Sequence, residues 1–418
     1  VIRPLYSLLL IGAQPFLRRK LRRRGAAEPG YLHAIDERFG RYRTAAEPGA
    51  LWIHAVSLGE TRAAAILLER LRERDPSLRV LLTHGTATGW AEGERLLRTG
   101  DCQAWLPWDT PGAVRRFLEH FRPSAGVLME TEVWPNVVAE CRARQVPLVL
   151  ANARLSGKSL AQARRLARLS RPAYGGLAAA WAQTEADAQR LREAGASVQG
   201  VFGNLKFDAA PDPVQLAQGR AWRAALGLPV VMFASSREGE EAQFLDAVRA
   251  LGDAAAGIRW LIVPRHPQRF DEVAALVAAR GFGMARRSQW AAPPEDAQVW
   301  IGDSLGEMAL YYGLADCALL GGSFEPLGGQ NLIEAAACGC PVVMGPHTFN
   351  FAEAAALAQE AGAALRVGGM EEGVRAAIEL GMDAPRREAT AAAGLSFAAA
   401  HRGAADRTAE AVLALIRG

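Results

Sequence analysis

The amino-acid sequence points to an α/β architecture: two consecutive Rossmann-like domains behind an N-terminal membrane-associated helix. From residue 50 onward, short apolar runs alternate with helical stretches, the pattern of parallel βαβ units. The alternation breaks once, at the Pro- and Asp-bearing stretch GNLKFDAAPDPVQ, 203–215, which reads as a linker, and then resumes. The chain has 418 residues, 50% hydrophobic and 22% charged. That is globular composition, sufficient for two cores at ~100–200 residues per domain. A fibre and a long coiled coil are excluded. So is a polytopic membrane protein, because no stretch beyond the N-terminus nears the ~20 apolar residues of a spanning helix. The expected division is 1–25 for the helix, 26–205 for the first domain and 206–418 for the second, with the last helix free to cross back to the first.

The chain opens VIRPLYSLLLIGAQPFLRRKLRRRG. Leu5–Leu17 is apolar but carries Pro15, and Arg18, Arg19, Lys20, Arg22, Arg23 and Arg24 follow it. A signal peptide has its charges before the apolar core and a small-residue cleavage site after it; here the weighting is reversed. The segment is short for a span and suits a helix lying in or dipping into the interface. Its cations would meet anionic headgroups, worth ~1 kcal/mol each. Positive residues stay on the cytoplasmic side, so the bulk of the protein is expected there. The alternative is an amphipathic helix docked on its own domain.

In the first domain the candidate strands are Leu51–Val56, Arg79–Thr83, Gln103–Leu106, Ala125–Met129, Pro147–Ala151, Ala179–Gln183 and Val198–Phe202. Helical segments include Arg62–Arg74 and Ala161–Leu169. In the second the strands are Val230–Ala234, Trp260–Val263, Ala297–Ile301, Cys317–Leu320, Pro341–Met344 and Ala364–Val367. Gly239–Leu251, Gln268–Arg280, Asn331–Cys338, Phe351–Ala361 and the tail Arg386–Arg417 are helical in character. Ligands of such sheets bind beyond the carboxyl ends of the strands, so two sheets facing across one cleft are expected to join two substrates.

Charge divides the chain. Residues 1–200 carry 30 Lys and Arg against 19 Asp and Glu, a net of +11; residues 201–418 carry 18 against 25, a net of −7. The first half is therefore expected to face something anionic. Lysine occurs only at Lys20, Lys158 and Lys206. The abundance of Arg reflects composition, and no nucleic-acid partner is expected. Cys102, Cys141, Cys317, Cys338 and Cys340 read as reduced thiols, and Cys338-Gly-Cys340 has no matching pair for zinc.

Polar residues gather where strands end. Ser57-Leu-Gly-Glu60 has the S-x-x-E form of a capping box; equally, Glu60 stands at a helix start where a carboxylate would face the cleft as a base. Glu130 and Glu132 follow the strand Ala125–Met129 and share a side if the extended pattern persists. Asn152, Arg154 and Ser156 follow the next strand. Lys206 ends the first half, a cation suited to charge developing on a phosphate or carboxylate, or else a solvated linker lysine. In the second half Arg265 and His266 follow a strand directly, and the Arg fork suits phosphate. Gly302 and Gly306 flank an expected helix start with Asp303 and Ser304, an anion seat of free N–H groups. Gly321, Gly322, Gly328 and Gly329 precede a helix with Asn331 and Glu334 on one face, an arrangement for a nucleotide with a glycine loop admitting its phosphate. The sequence has no GxxxxGK[ST] and no D-x-D at a strand end, so neither a P-loop nor a metal-bound diphosphate is expected.

The motifs WIHAVSLGE, THGTATGW, METEVWPN, NARLSGKS, GNLKFD, PRHPQRF, GDSLGEM and GGSFEPLGGQNLIEAA, with the N-terminal segment and its YLHAIDERFGRY continuation, resemble those of bacterial 3-deoxy-D-manno-octulosonic acid (Kdo) transferases over almost the whole chain. The resemblance implies a GT-B glycosyltransferase that moves Kdo from CMP-Kdo to lipid IVA at the cytoplasmic side of the inner membrane, against its anionic lipids. It implies Glu60 as proton acceptor and Glu130 and Lys206 as transition-state stabilisers. It places CMP contacts on Pro264, Arg265, Leu305, Gly306, Glu307, Asn331, Leu332, Ile333 and Glu334, with no metal and no cofactor besides the donor. The chain departs from the family pattern at Arg237 (His expected), Leu305 (Met), Leu332 (Pro) and Leu327 (a more polar residue). No motif speaks to oligomeric state.

Overall fold

The structure, a computed structural model, describes residues 2–43, 45–252, 255 and 257–417. It has two compact units, Val1–Asp208 with Arg402–Gly418, and Ala209–His401. Each is built on a seven-stranded parallel sheet.

The first sheet comprises β1 (Leu51–His54), β2 (Val80–His84), β3 (Cys102–Trp105), β4 (Ala125–Met129), β5 (Leu148–Ala153), β6 (Ala179–Ala182) and β7 (Val198–Val201), in the order β3-β2-β1-β4-β5-β6-β7. Helices cover both faces, so its strands are apolar runs with side chains parted by the pleat. Leu51, Ile53, Val80, Leu82 and Val127 share a core with Ala64, Leu67 and Leu71 of the helix Leu58–Arg74. Trp52, Leu81 and Leu128 join Phe117 and Phe121 in another. Each fully buried Leu or Phe contributes ~1.5–3 kcal/mol.

The helical tail is two helices, Ala384–Ala400 and Ala404–Arg417, parted where Gly403 takes φ +94°. The last packs Ala405, Ala409, Val412 and Leu413 into the core of the first unit. Asp208 Oδ2 accepts from Ala405 N at 2.7 Å. The first unit ends at Asp208 rather than Leu205 because Leu205 and Phe207 are buried. Lys206, expected to open the second domain, therefore lies in the first. The stretch 203–215 is not a bare linker. It holds a 3-10 turn, Leu205–Asp208, and the start of the helix Pro213–Ala225, whose cap Asp212 accepts from Val214 N and Gln215 N.

The second sheet comprises β8 (Val230–Ser236), β9 (Arg259–Pro264), β10 (Met284–Arg286), β11 (Val299–Ile301), β12 (Cys317–Leu320), β13 (Val342–Met344) and β14 (Ala364–Arg366), in the order β10-β11-β9-β8-β12-β13-β14. β10 was not foreseen: it is an edge strand of exposed and half-buried residues with no apolar run. The stretch Ala161–Leu169 likewise breaks at Leu166, between helices Gly157–Arg165 and Ala167–Tyr174.

The N-terminal segment forms one helix, Ile2–Ala27, with Pro15 inside it. One side docks: Ser7, Leu21 and Gly25 are buried, Tyr6 Oη donates to Asp109 at 3.0 Å, and Asn136 Nδ2 donates to Ser7 Oγ at 3.0 Å. The other side leaves Leu5, Leu8, Leu9, Ile11 and Phe16 exposed. The helix thus docks on its own domain, as the alternative reading expects, and leaves an apolar row uncovered on its other face. No helix among the described residues is long and apolar enough to cross a membrane.

Candidate active site

A ligand site in a parallel sheet forms where the strand order reverses. In the first sheet the reversal lies between β1 and β4. The chain leaving β1 turns through Ala55 and Val56 to Ser57, the cap of Leu58–Arg74. Ser57 Oγ accepts from Glu60 N at 3.4 Å and donates to Glu60 Oε1 at 2.9 Å, while Val56 N donates to Oε2 at 2.9 Å. The capping box forms, yet it does not take Glu60 out of the site. The carboxyl is half-buried and its pKa is raised, first by burial and also by the Glu130 charge, against the pull of the Val56 and Ser57 hydrogen bonds and of Arg154.

Glu130 directly follows β4 and is buried. Its Oε2 lies 2.9 Å from Arg154 Nε and its Oε1 3.5 Å from Lys206 Nζ. The extended pattern expected across Glu130–Glu132 does not persist, because Glu130 turns into the left-handed region at φ +58°. Asn152, near the end of β5, has φ +51° and accepts from Leu205 N on Oδ1 at 3.1 Å, which ties the Lys206 turn to β5. Such conformations cost ~1–3 kcal/mol each and collect at functional sites; here two stand at the ends of neighbouring strands. Glu132 is brought close by the turn rather than by strand alternation, and Trp134 Nε1 donates to it at 2.9 Å. Burial, then the charges of Glu60 and Glu130, push its pKa up to about 7. Glu132 and Arg154 were legible as polar residues at strand ends but carried no assigned role; the repeated acid of E-T-E was the signal for Glu132. Ser156 is structural, capping the helix Gly157–Arg165 through Ser159 N at 3.1 Å. Three carboxylates and two cations thus occupy one spot, and the raised pKa values of two of the carboxyls make them stronger proton acceptors when ionised, which suits a base acting on a hydroxyl.

In the second sheet the reversal lies between β8 and β12. Ser235 has φ +54°, and a side chain at Gly321 would meet its carbonyl at 2.2 Å, so only glycine fits there. Pro264 closes β9. Arg265 follows, its N donating to Ser236 O at 3.0 Å and its Nε to Gln330 Oε1 at 3.2 Å, next to Asn331. Burial lowers the His266 pKa, and the charges of Arg237 and Arg265 lower it further. Cationic groups therefore gather at the ends of β8 and β9.

Two expectations need correction. Two N–H groups of the glycine loop are not free for a phosphate, because the buried Glu240 carboxylate accepts from Gly322 N at 2.7 Å and Phe324 N at 3.1 Å. Nor is there a bare helix start at Gly306: the helix is Met308–Leu314, and Gly306 precedes it at φ +78° with its carbonyl accepting from Gln215 Nε2 at 2.9 Å. Glu307 is held by Arg287 at 2.8 Å, and Leu305 is exposed. Asn331 caps the helix Leu332–Ala337 by accepting from Ile333 N at 3.2 Å. Leu332 and Ile333 are core side chains, while Asn331 and Glu334 are half-buried. The segments 264–265, 305–307 and 331–334 nonetheless all follow β9, β11 and β12 on the carboxyl side of one sheet. Among the described residues no three His, Cys, Asp or Glu are grouped to hold a metal ion. The cysteines are unpaired, and burial pushes the Cys141 and Cys338 thiols up to about 12.

Residues 33–209 match the family model described as 3-deoxy-D-manno-octulosonic-acid transferase (kdotransferase). The chain is 49% identical over 423 residues to 3-deoxy-D-manno-octulosonic acid transferase of Bordetella pertussis, covering 98% of each chain. It is 33% identical over 412 residues to that of Haemophilus influenzae, covering 96% of each. In fold it is similar to UDP-GlcNAc 2-epimerase from Neisseria meningitidis bound to UDP-GlcNAc, with TM-score 0.58 at 14% identity over 87% of this chain and 99% of that one. The paired Rossmann-like units are those of the GT-B class, and the near-full-length identity fixes which branch of it: the chain belongs to the 3-deoxy-D-manno-octulosonic acid transferases, glycosyltransferases of lipopolysaccharide synthesis.

Proposed function

We propose that this chain transfers Kdo from CMP-Kdo to the 6′-hydroxyl of lipid IVA by one inverting displacement, with Glu60 as base and no metal. The observation that carries the reading is the carboxylate cluster at the first strand reversal, where Glu60 is desolvated beside Glu130. Glu60 takes the hydroxyl proton as that oxygen bonds to the anomeric carbon of Kdo, and CMP leaves with the electrons of the broken bond. The leaving group is a monophosphate, with less charge than a diphosphate, so fixed cations can do what a metal does elsewhere. Arg265 is assigned to it. Asn331 and Glu334 are assigned to the nucleoside, with the backbone of 305–307 and 332–333 and the end of β9 at Pro264. Glu130 holds Lys206 in place, and Lys206 offsets charge developing in the transition state. The exposed apolar row of Ile2–Ala27 and the cations that follow it support attachment at the cytoplasmic face of the inner membrane.

Kdo transfer from CMP-Kdo to lipid IVA, followed against pH, tests this. A base must be ionised, so the rate falls as pH drops through the raised Glu60 pKa, above the ~4.3 of a free Glu. The Glu130 charge raises the Glu60 pKa. Glu130→Gln removes that neighbouring negative charge, lowers the Glu60 pKa and moves the acid limb of the residual activity to lower pH. A limb that stays where it was contradicts the assignment.

A further inference from the structure

Arg18 and Arg22, one turn apart on the helix Ile2–Ala27, open onto a cavity of about 580 Å³. The segment 33–37 and Arg41 and Arg43 form its other wall. Four guanidinium groups line it against two carboxylates, Asp36 and Glu37, and both carboxylates are engaged. Asp36 lies 3.7 Å from Arg18 Nη1, and the buried Glu37 accepts from Trp105 N at 2.9 Å. Arg18 is further held over the Phe39 ring at 3.7 Å. Arg22, Arg41 and Arg43 are exposed and have no ion-pair partner among the described residues. Like charges brought together without partners repel one another, and an anion seated among them would relieve that repulsion. Several planar forks around one space suit a tetrahedral group with several acceptor oxygens.

The cavity's place on the helix narrows the class of ligand. Leu8, Ile11, Arg18 and Arg22 share a stripe by their three-, four- and seven-residue spacing, and Leu8 and Ile11 are exposed. At ~1.5 Å per residue, Arg22 lies ~17 Å along the axis from Ile11, so apolar chains and a charged headgroup of one molecule can be served by one face. We propose that this cavity seats the phosphomonoester headgroup of a membrane-inserted amphiphile, gripped by Arg22, Arg41 and Arg43 beside Arg18. The proposal takes the source of the phosphate from the membrane-facing reading of the helix, and the site itself from the cavity.

The full chain is to be tested on phosphatidylcholine vesicles containing phosphatidic acid, a monoester, or phosphatidylglycerol, a diester, at matched surface charge. Inorganic phosphate is titrated separately by calorimetry. The phosphatidic acid vesicles should bind about tenfold tighter, as one or two extra charge-assisted hydrogen bonds give. The triple change Arg22→Gln, Arg41→Gln, Arg43→Gln should erase the preference. Arg19→Gln with Arg23→Gln, which removes charge outside the cavity, should weaken binding to both vesicles alike and keep it. Vesicle binding without a preference, or a preference that survives the triple change, overturns the headgroup seat. Binding to neither vesicle overturns the membrane reading instead. The cavity then stands as a free-phosphate site if inorganic phosphate binds the parent and not the triple variant, and falls if it binds neither.

Discussion

Glu60→Gln is expected to lower Kdo transfer by ~10²–10⁴-fold, the range of a lost general base, while CMP affinity stays unchanged. The fold should tolerate the change. Gln can still accept from Val56 N and donate to Ser57 Oγ, so the cap that Glu60 completes persists. The residues assigned to CMP all lie in the second unit, so calorimetry with CMP separates a damaged protein from a missing base. Unchanged CMP binding with lost turnover is the predicted pair of results. Retained turnover would remove Glu60 from the base role and leave its carboxylate with the helix cap alone.

The second large effect is expected at the Glu130–Lys206 pair. Lys206→Met removes a cation held 3.5 Å from Glu130, and Glu130→Gln leaves Arg154 and Lys206 without their carboxylate. Each should lower kcat by ~10²–10³-fold, the cost of losing one fixed electrostatic stabiliser, with little change in KM. Residues that act as a unit are not additive. The double variant should therefore be about as slow as the worse single one, since Glu130 acts by holding Lys206. Losses that multiply in the double variant would mean that the two side chains serve the reaction separately.

Much of this was legible in the sequence because it depends on local pattern. The central strands are apolar runs buried on both faces, and polar residues stand just beyond them at the carboxyl end of each sheet. The S-x-x-E box and the placing of Glu60 proved compatible, because one carboxylate can complete a helix cap and still lie beside Glu130. Several of the failures required a partner distant along the chain. Glu240 fills the glycine loop from 82 residues away. The left-handed turn at Glu130 is held by its bond to Ala151 on β5 and by Arg154, and no local rule puts a glutamate in that conformation. Of the two readings of Lys206, a solvated linker position does not fit, because Leu205 and Phe207 on either side of it are buried in the first unit. The edge strand β10 had no apolar signal because its residues are exposed or half-buried.

The central claim is a single displacement driven by Glu60 as base. The anomeric configuration of the transferred Kdo, read by NMR on the product made from CMP-Kdo and lipid IVA, tests it most directly. The account predicts a configuration opposite to that of the donor. Retention would mean either two displacements through a bond between Kdo and the protein or attack from the face that CMP leaves, and both would contradict a single in-line displacement driven by Glu60.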